Sequence, residues 1–304
     1  MKRKTTAFFV AFIVIIVAVL APVTSAMADS SAYVSLGADL TAEQRATVLG
    51  LLGVTEEELS QDTLVTVTNE DEHRYLGAIL PAEVIGTKAL SSCKVVQRES
   101  GYGIHVHTQN VNYVTEGMFE NALATAGMKD AEVTVAAPSP ISGTAALVGA
   151  MLAYSKMNGT VVETSAIEAA TNELVTSGEL AEFLGDSEKT EQLIAVVKQI
   201  VAEKDLTDEN AIRSTVADVA GQFGYVLSDE EMNMVVGLMK QLSSMNLDAG
   251  SLVSQAYEIY RAAMDSGIDL SSLGLDSSTL SKVVDKAPGL LDGLLSWFGS
   301  AFGG

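Results

Sequence analysis

The sequence predicts an α+β protein: an N-terminal mixed β-sheet with packed helices, followed by a mainly helical C-terminal half. Three observations predict it. Between Ser31 and Ala137, apolar patterns of period two and period 3.6 alternate in the order β-α-β-α-β-β-α-β, which suits one mixed sheet with helices on it. Pro138 and Pro140 then bracket a break. Beyond them strand signals nearly vanish and helical segments follow one another. The expected layout is a signal peptide over 1–28, a mixed-sheet domain over 29–138, and a helical domain over 139–304 with an apolar C-terminal tail.

Each element has its own signal. Ala32 to Leu36 reads as a short strand. Thr41 and Gln44 form a capping box for a helix to Leu52, and Thr55 with Glu58 repeats the device at a short helix. Thr63 to Thr68 alternates with period two and reads as a strand. Asn69 with Glu72 is expected to open a helix that runs to Leu80 and stops at Pro81. Ala89 to Gln97 and Gly103 to Gln109 are rich in β-branched residues, and the Glu99-Ser-Gly-Tyr102 link between them reads as a hairpin. Thr115 caps a helix to Ala126, ended by Gly127, and Ala131 to Ala136 is a last strand.

Past the prolines, Ile141 to Lys156 is a helix rich in small residues. Further helices are expected at Ser165–Ser177, Glu179–Leu184, Ser187–Lys204, Thr207–Phe223, Ser228–Met245 and Leu252–Ser266. Ser228 with Glu231 is a full capping box, and Leu227 before it can staple to Met232. In the tail, Leu290, Leu294, Phe298 and Phe302 recur every fourth residue. That stripe suits a last helix docking on the bundle; a partner- or membrane-interface segment is the alternative.

Composition narrows the function. The chain has 304 residues, 48% hydrophobic and 19% charged, with 18 Lys and Arg against 39 Asp and Glu and a formal charge of −21. Such a chain buries a real core and is no collagen or disulfide scaffold. Its acidity argues against nucleic-acid backbones and anionic membrane surfaces, which want clustered Lys and Arg, so no nucleic-acid partner is expected. Lys2, Arg3 and Lys4, the apolar run from Ala7 to Val23, and Ala26-Met-Ala28 have the order of a secretory signal peptide. The expected location is therefore secreted or cell-surface after cleavage near Ala28, with an uncleaved N-terminal anchor as the alternative. Membrane contact is expected only through that anchor or the apolar tail. Cys93 is the only cysteine, so no internal disulfide forms, and its strand position suits a small buried side chain.

Few residues offer chemistry. His105 and His107 stand two apart on a strand and project from one face. With His73 they make a candidate metal set, since a zinc-type site needs three or four convergent ligands. A divalent metal is the cofactor that set would take; a solvated strand face is the plain alternative, and no other cofactor is expected. Glu70, Asp71 and Glu72 read as first-turn carboxylates facing a helix dipole. Ser91-Ser-Cys-Lys94 has a Ser-x-x-Lys spacing, but on a strand positions three apart face opposite ways. Asp205, Asp208, Glu209, Asp265, Asp269 and Asp276 lack calcium-loop spacing. Ser142-Gly-Thr144, at a strand-to-helix junction, suits an N-cap or an anion site. No nucleophile elbow, zincin motif, Walker loop or dinucleotide fingerprint occurs, so no catalytic residue is assigned.

Four segments carry a resemblance: Val34-Ser-Leu-Gly-Ala-Asp-Leu40, Val67-Thr-Asn-Glu-Asp-Glu-His-Arg-Tyr-Leu-Gly77, Ile85-Gly-Thr-Lys-Ala-Leu-Ser-Ser92 and Ser142-Gly-Thr-Ala-Ala-Leu-Val-Gly149. In content and order they resemble the exported domain-of-unknown-function family typified by Bacillus YpuA. The resemblance implies an exported protein of Gram-positive bacteria and brings no activity with it. The expected function is a non-catalytic binding or envelope-associated module whose partner is an envelope component or another protein. The alternative is a cell-envelope hydrolase, metal-assisted through the three histidines or acid–base through carboxylates.

Overall fold

The structure is a computed structural model that describes residues 32–161 and 163–245. The expected signal peptide, the helix at 252–266, the aspartates Asp265, Asp269 and Asp276 and the apolar tail lie outside the described residues. Elements follow in the order β1 (Tyr33–Gly37), α1 (Ala42–Leu52), β2 (Leu64–Val67), α2 (Asn69–Leu76), α3 (Ala82–Ile85), β3 (Ser92–Gln97), β4 (Ile104–Val111), α4 (Glu116–Thr125) and β5 (Ala131–Ile141). The helices α5 (Thr144–Asn158), α6 (Thr164–Leu184), α7 (Ser187–Glu203), α8 (Glu209–Gln222) and α9 (Asp229–Ser243) follow among the described residues. This is the mixed sheet with a mainly helical C-terminal half that the periodicities predict.

Local capping places the helices. Thr41 Oγ1 accepts from Gln44 N at 3.2 Å and Gln44 Oε1 accepts from Thr41 N at 3.0 Å. Ser228 and Glu231 do the same for α9. The expected opening of α2 is corrected by one residue. Thr68 is its cap and Asp71 the reciprocal partner, which leaves Glu72 free of the capping box and in the same row as the buried Leu76. The helix also ends at Leu76 rather than Leu80, and Pro81 starts the separate α3. Asp208, one residue past Thr207, caps α8. The two short helices expected on either side of Gly178 are one helix, α6. A Cβ at Gly178 would lie 2.9 Å from Met118 Cε, so the glycine's helix cost is offset by letting α4 pack close.

The sheet order β2-β1-β3-β5-β4 corrects the hairpin. β3 and β4 do not pair. β5 lies between them, antiparallel to β3 (Cys93 opposite Val135) and parallel to β4 (Val106 opposite Val133). Val133, Val135, Ala136 and Ala137 of β5 are all buried, and such a strand needs a neighbour on each side. The link from β3 to β4 instead arches over the start of β5. Asp130 Oδ1 accepts from Gly101 N at 2.9 Å and Gly103 N at 3.1 Å, and both glycines take positive φ. The expected break at the prolines is also corrected, because β5 runs through Pro138 and Pro140 to Ile141. Its pairing with β4 skips at Asn110, whose side chain donates to Ala137 O at 2.9 Å.

Two faces of the sheet receive different helices. Val34, Leu36 and Ala136 bury against Val48, Leu49 and Leu52 of α1. On the other face Cys93, Val95, Val106, Val133 and Val135 pack on α4 and α5. Cys93 is fully buried there, and burial pushes its thiol up to about 12. A second apolar cluster joins α6, α7, α8 and α9. One buried polar group ties α4 to the helical half. Lys198 Nζ of α7 donates to Asn121 O at 3.0 Å, Thr125 Oγ1 at 3.2 Å and Glu173 Oε1 of α6 at 2.7 Å. The Thr125 hydroxyl donates to the other oxygen of Glu173.

At the end of β1 the chain passes against another backbone. Asp39 N donates to Ala89 O at 3.1 Å, and Ala89 N donates to Asp39 Oδ2 at 2.8 Å. A Cβ on Gly37 would overlap the Ala89 carbonyl and lie 2.8 Å from Leu90 Cα, both backbone atoms that cannot turn away. Gly37→Ala is therefore expected to cost about 1–3 kcal/mol. A urea-unfolding midpoint equal to that of the wild type would refute the close approach.

Candidate functional site

The three candidate histidines lie on separate parts of the fold. His105 and His107 do share one face of β4, the side on which α1 packs. His105 stands edge-on to Tyr102, with ring centroids 4.8 Å apart, and its Nε2 lies 3.0 Å from Tyr102 O. His107 is exposed, near the Arg98–Glu132 ion pair; Arg98 holds the Glu132 carboxyl below the usual range. His73 is on α2, which follows the opposite edge strand β2, and its Nε2 lies 3.2 Å from Gly86 O. Among the described residues, no group of three or more His, Cys, Asp or Glu is placed to hold a metal ion.

A different set of residues converges. β1 runs parallel to β2, β4 parallel to β5, and β3 antiparallel to both β1 and β5, so four strands point one way. Off their carboxyl ends lies a cavity of about 400 Å³. Open sheets bind ligands at this end, because strand-to-helix loops and helix amino ends meet there. Its lining includes Glu72, Lys88, Ser91, Tyr113, Ser142 and Thr144. Three of the four segments singled out by their resemblance line it. Val34–Leu40 braces the wall through the Gly37 and Asp39 contacts to Ala89. Val67–Gly77 supplies Glu72, Ile85–Ser92 supplies Lys88 and Ser91, and Ser142–Gly149 supplies the start of α5.

The amino end of α5 is built for close approach. Gly143 caps it with φ 96°, and a Cβ there would lie 2.7 Å from Val111 Cγ1. Gly149, two turns on, lets the helix rest on Ser35 of β1. Ala146 N donates to Ser91 Oγ at 2.9 Å, while Thr144 and Ala145 border the cavity with first-turn N–H groups. Thr144 Oγ1 donates to Glu72 Oε1 at 2.8 Å and lies 3.1 Å from Ser142 Oγ. Asn69 Nδ2 donates to Glu72 Oε2 at 3.2 Å. The cavity thus offers a buried carboxylate, several hydroxyls and helix-end donors, with exposed Lys88 at its mouth.

Glu72 is the residue that sequence reasoning misplaced. It reads as a first-turn carboxylate facing the helix dipole, yet it is also only 1% exposed. Burial pushes its pKa up, against the opposing pull of its bonds from Thr144 and Asn69. The signal was its spacing of four from Leu76, which puts both on one helix face. Because the folded state holds this proton where the unfolded chain has lost it, stability falls as pH rises from about 4.5 through the raised value. Glu72→Gln removes that loss, so the variant's stability relative to wild type should climb with pH in urea titrations from pH 4 to 8. A pH-independent difference would show that Glu72 titrates normally.

Comparison with known proteins gives the following likenesses. The family described as "Protein of unknown function (DUF1002)" matches residues 36–259. Over 223 residues the chain is 37% identical to the uncharacterised protein YpuA of Bacillus subtilis (strain 168), spanning 73% of this chain and 75% of that protein. No solved structure matches the chain.

Proposed function

The chain belongs to the DUF1002 family of proteins of unknown function, and from that premise we propose that it is an exported, non-catalytic module that binds a cell-envelope component in the cavity at the amino end of α5. The observation that carries this reading is the cavity itself: a preformed, half-polar recess off the carboxyl ends of four parallel strands, assembled from four separate sequence segments. The basic, apolar and small-residue order of residues 1–28 supports export. The scatter of the three histidines favours binding over metal-assisted hydrolysis.

A second reading, acid–base hydrolysis, draws on one feature. Ser142, Thr144 and Glu72 form a hydroxyl–hydroxyl–carboxyl chain that ends on a group whose pKa is raised. The two readings separate on one experiment. The full-length chain is expressed in a Gram-positive host and its extracellular form is incubated with isolated cell-wall sacculi. Recovery of a chain starting at Asp29 that sediments with intact sacculi is the expected result. Release of soluble fragments that stops in Glu72→Gln would establish hydrolysis instead. Retention inside the cell with Met1 attached would remove the export half of the proposal.

A further inference from the structure

The lining of the α5 cavity includes side chains that the fold does not use. Glu83, Lys88 and Asn112 are exposed there, and Tyr113 is 37% exposed. Among the described residues, the side chains of Glu83, Lys88 and Asn112 have no hydrogen-bond or ion-pair partner. Asn112 is held by its backbone, through its N–H to Ile141 O at 3.0 Å. Deeper in, the Thr144 hydroxyl donates to Glu72, so Ser142 is the donor in the 3.1 Å contact between the two hydroxyls. The half-buried Ser142 oxygen therefore keeps a lone pair for a ligand. Val84, Leu90 and Ile141 make the rest of the lining apolar.

Charge decides between ligand classes. The Tyr113 phenol is pushed up first by burial and then by the negative charges of Glu179 and Glu182 on α6, so two more carboxylates stand near the cavity. An anionic ligand would meet Glu83, Glu179 and Glu182 against Lys88 alone among the lining residues. A divalent cation fits no better, because no three carboxylates or imidazoles among the described residues converge to ligate it. Peptide sites use an exposed strand edge, a long apolar groove or an arginine cluster. This recess lies off strand ends and has no arginine in its lining. A neutral ligand rich in hydroxyls suits it. Each sugar hydroxyl both donates and accepts, which the Asn112 amide, Lys88, Glu83 and Ser142 can answer. The weakly positive C–H groups on the apolar face of a pyranose suit the negative face of the Tyr113 ring.

Resting on the reading of this cavity as the binding site, we propose that its ligand is a neutral pyranose unit of a glycan, stacked on Tyr113 with its hydroxyls on Asn112, Glu83, Lys88 and Ser142. At about 400 Å³ the recess is at the small end of ligand cavities, so it takes a chain end or a single branch rather than a run of glycan.

The test is calorimetric titration of the full-length chain with the neutral sugars diacetylchitobiose, cellobiose and maltose, with the charged sugars glucose phosphate and glucosamine, and with end-blocked Ala-Gln-Ala. Saturable binding of at least one neutral sugar is the expected result, with the charged sugars weaker by about tenfold or more and no binding of the peptide. Tyr113→Ala should weaken that binding by about tenfold, while Tyr113→Phe, which keeps the ring, binds as the wild type does. Asn112→Ala should weaken it by about fivefold with the thermal unfolding midpoint in place. The proposal is overturned if no neutral sugar binds, if glucose phosphate or the peptide binds instead, or if Tyr113→Ala and Asn112→Ala both bind as the wild type does. Sedimentation with sacculi that Thr87→Trp abolishes, without binding of any sugar, would overturn the saccharide and leave the cavity as the binding site. Sugar binding that survives Thr87→Trp would overturn both.

Discussion

Lys198→Ala is expected to lower stability by about 3–5 kcal/mol, because it strands the Glu173 carboxylate in the interior. Both side chains are essentially unexposed, at 1% and 0%. All three ammonium protons of Lys198 are used, on Asn121, Thr125 and Glu173, so the charge is satisfied only while every partner is present. The group also joins α4, α6 and α7, so its loss loosens the helical half from the sheet layer. The double variant Lys198→Met with Glu173→Leu removes both charges and keeps the volume, and should recover most of the loss. Urea unfolding measures both. A Lys198→Ala penalty under about 1 kcal/mol, or a double variant worse than the single, would mean that the pair is not enclosed as described.

Phe119→Ala comes next, with an expected cost of about 3–5 kcal/mol. The ring is fully buried at the centre of the cluster formed by α4, α5 and the sheet. It also lies under the α5 amino end, where a Cβ on Gly143 would be 3.5 Å from Phe119 Cζ. Removing it leaves a void beneath the turn that shapes the α5 cavity. Phe119→Leu, which refills much of that void, should recover more than half of the stability in the same assay. Equal losses for the two variants would indicate that ring shape, rather than filled volume, decides.

Much of the fold is written in local signals, and those survive. The capping boxes at Thr41 and Ser228, the glycine stop after α4 and the apolar faces of the long helices depend on residues three or four apart. What misleads are pairings between distant segments. Ser92–Gln97 and Ile104–Val111 sit next to each other in the chain, as hairpin strands do, and only the demand of the later β5, with Val133, Val135, Ala136 and Ala137 buried, for two neighbours separates them. Pro138 and Pro140 look like a break, yet the strand passes them where its pairing with β4 is already irregular.

The candidate site follows the same division. The Ser142-Gly-Thr144 junction is legible as an N-cap or anion site, and it does form the amino end of α5 at the cavity. His73, His105 and His107 attract attention by residue type, but nothing local to them fixes how far apart β2 and β4 fall in the sheet. Glu72 was hidden because it was read only as one of three first-turn carboxylates, while its place four residues before the apolar Leu76 sets it on the face that packs inward.

The binding role of the α5 cavity can be tested without disturbing the core. Thr87 is exposed at the cavity's mouth, so Thr87→Trp should plug it and leave the fold intact. Co-sedimentation with isolated cell-wall sacculi is then compared for wild type, Thr87→Trp and the control Val226→Ser, at an exposed residue between α8 and α9. Loss of sedimentation in Thr87→Trp alone is the expected result. A plugged variant that sediments as fully as the wild type would contradict the assignment of the cavity as the binding site.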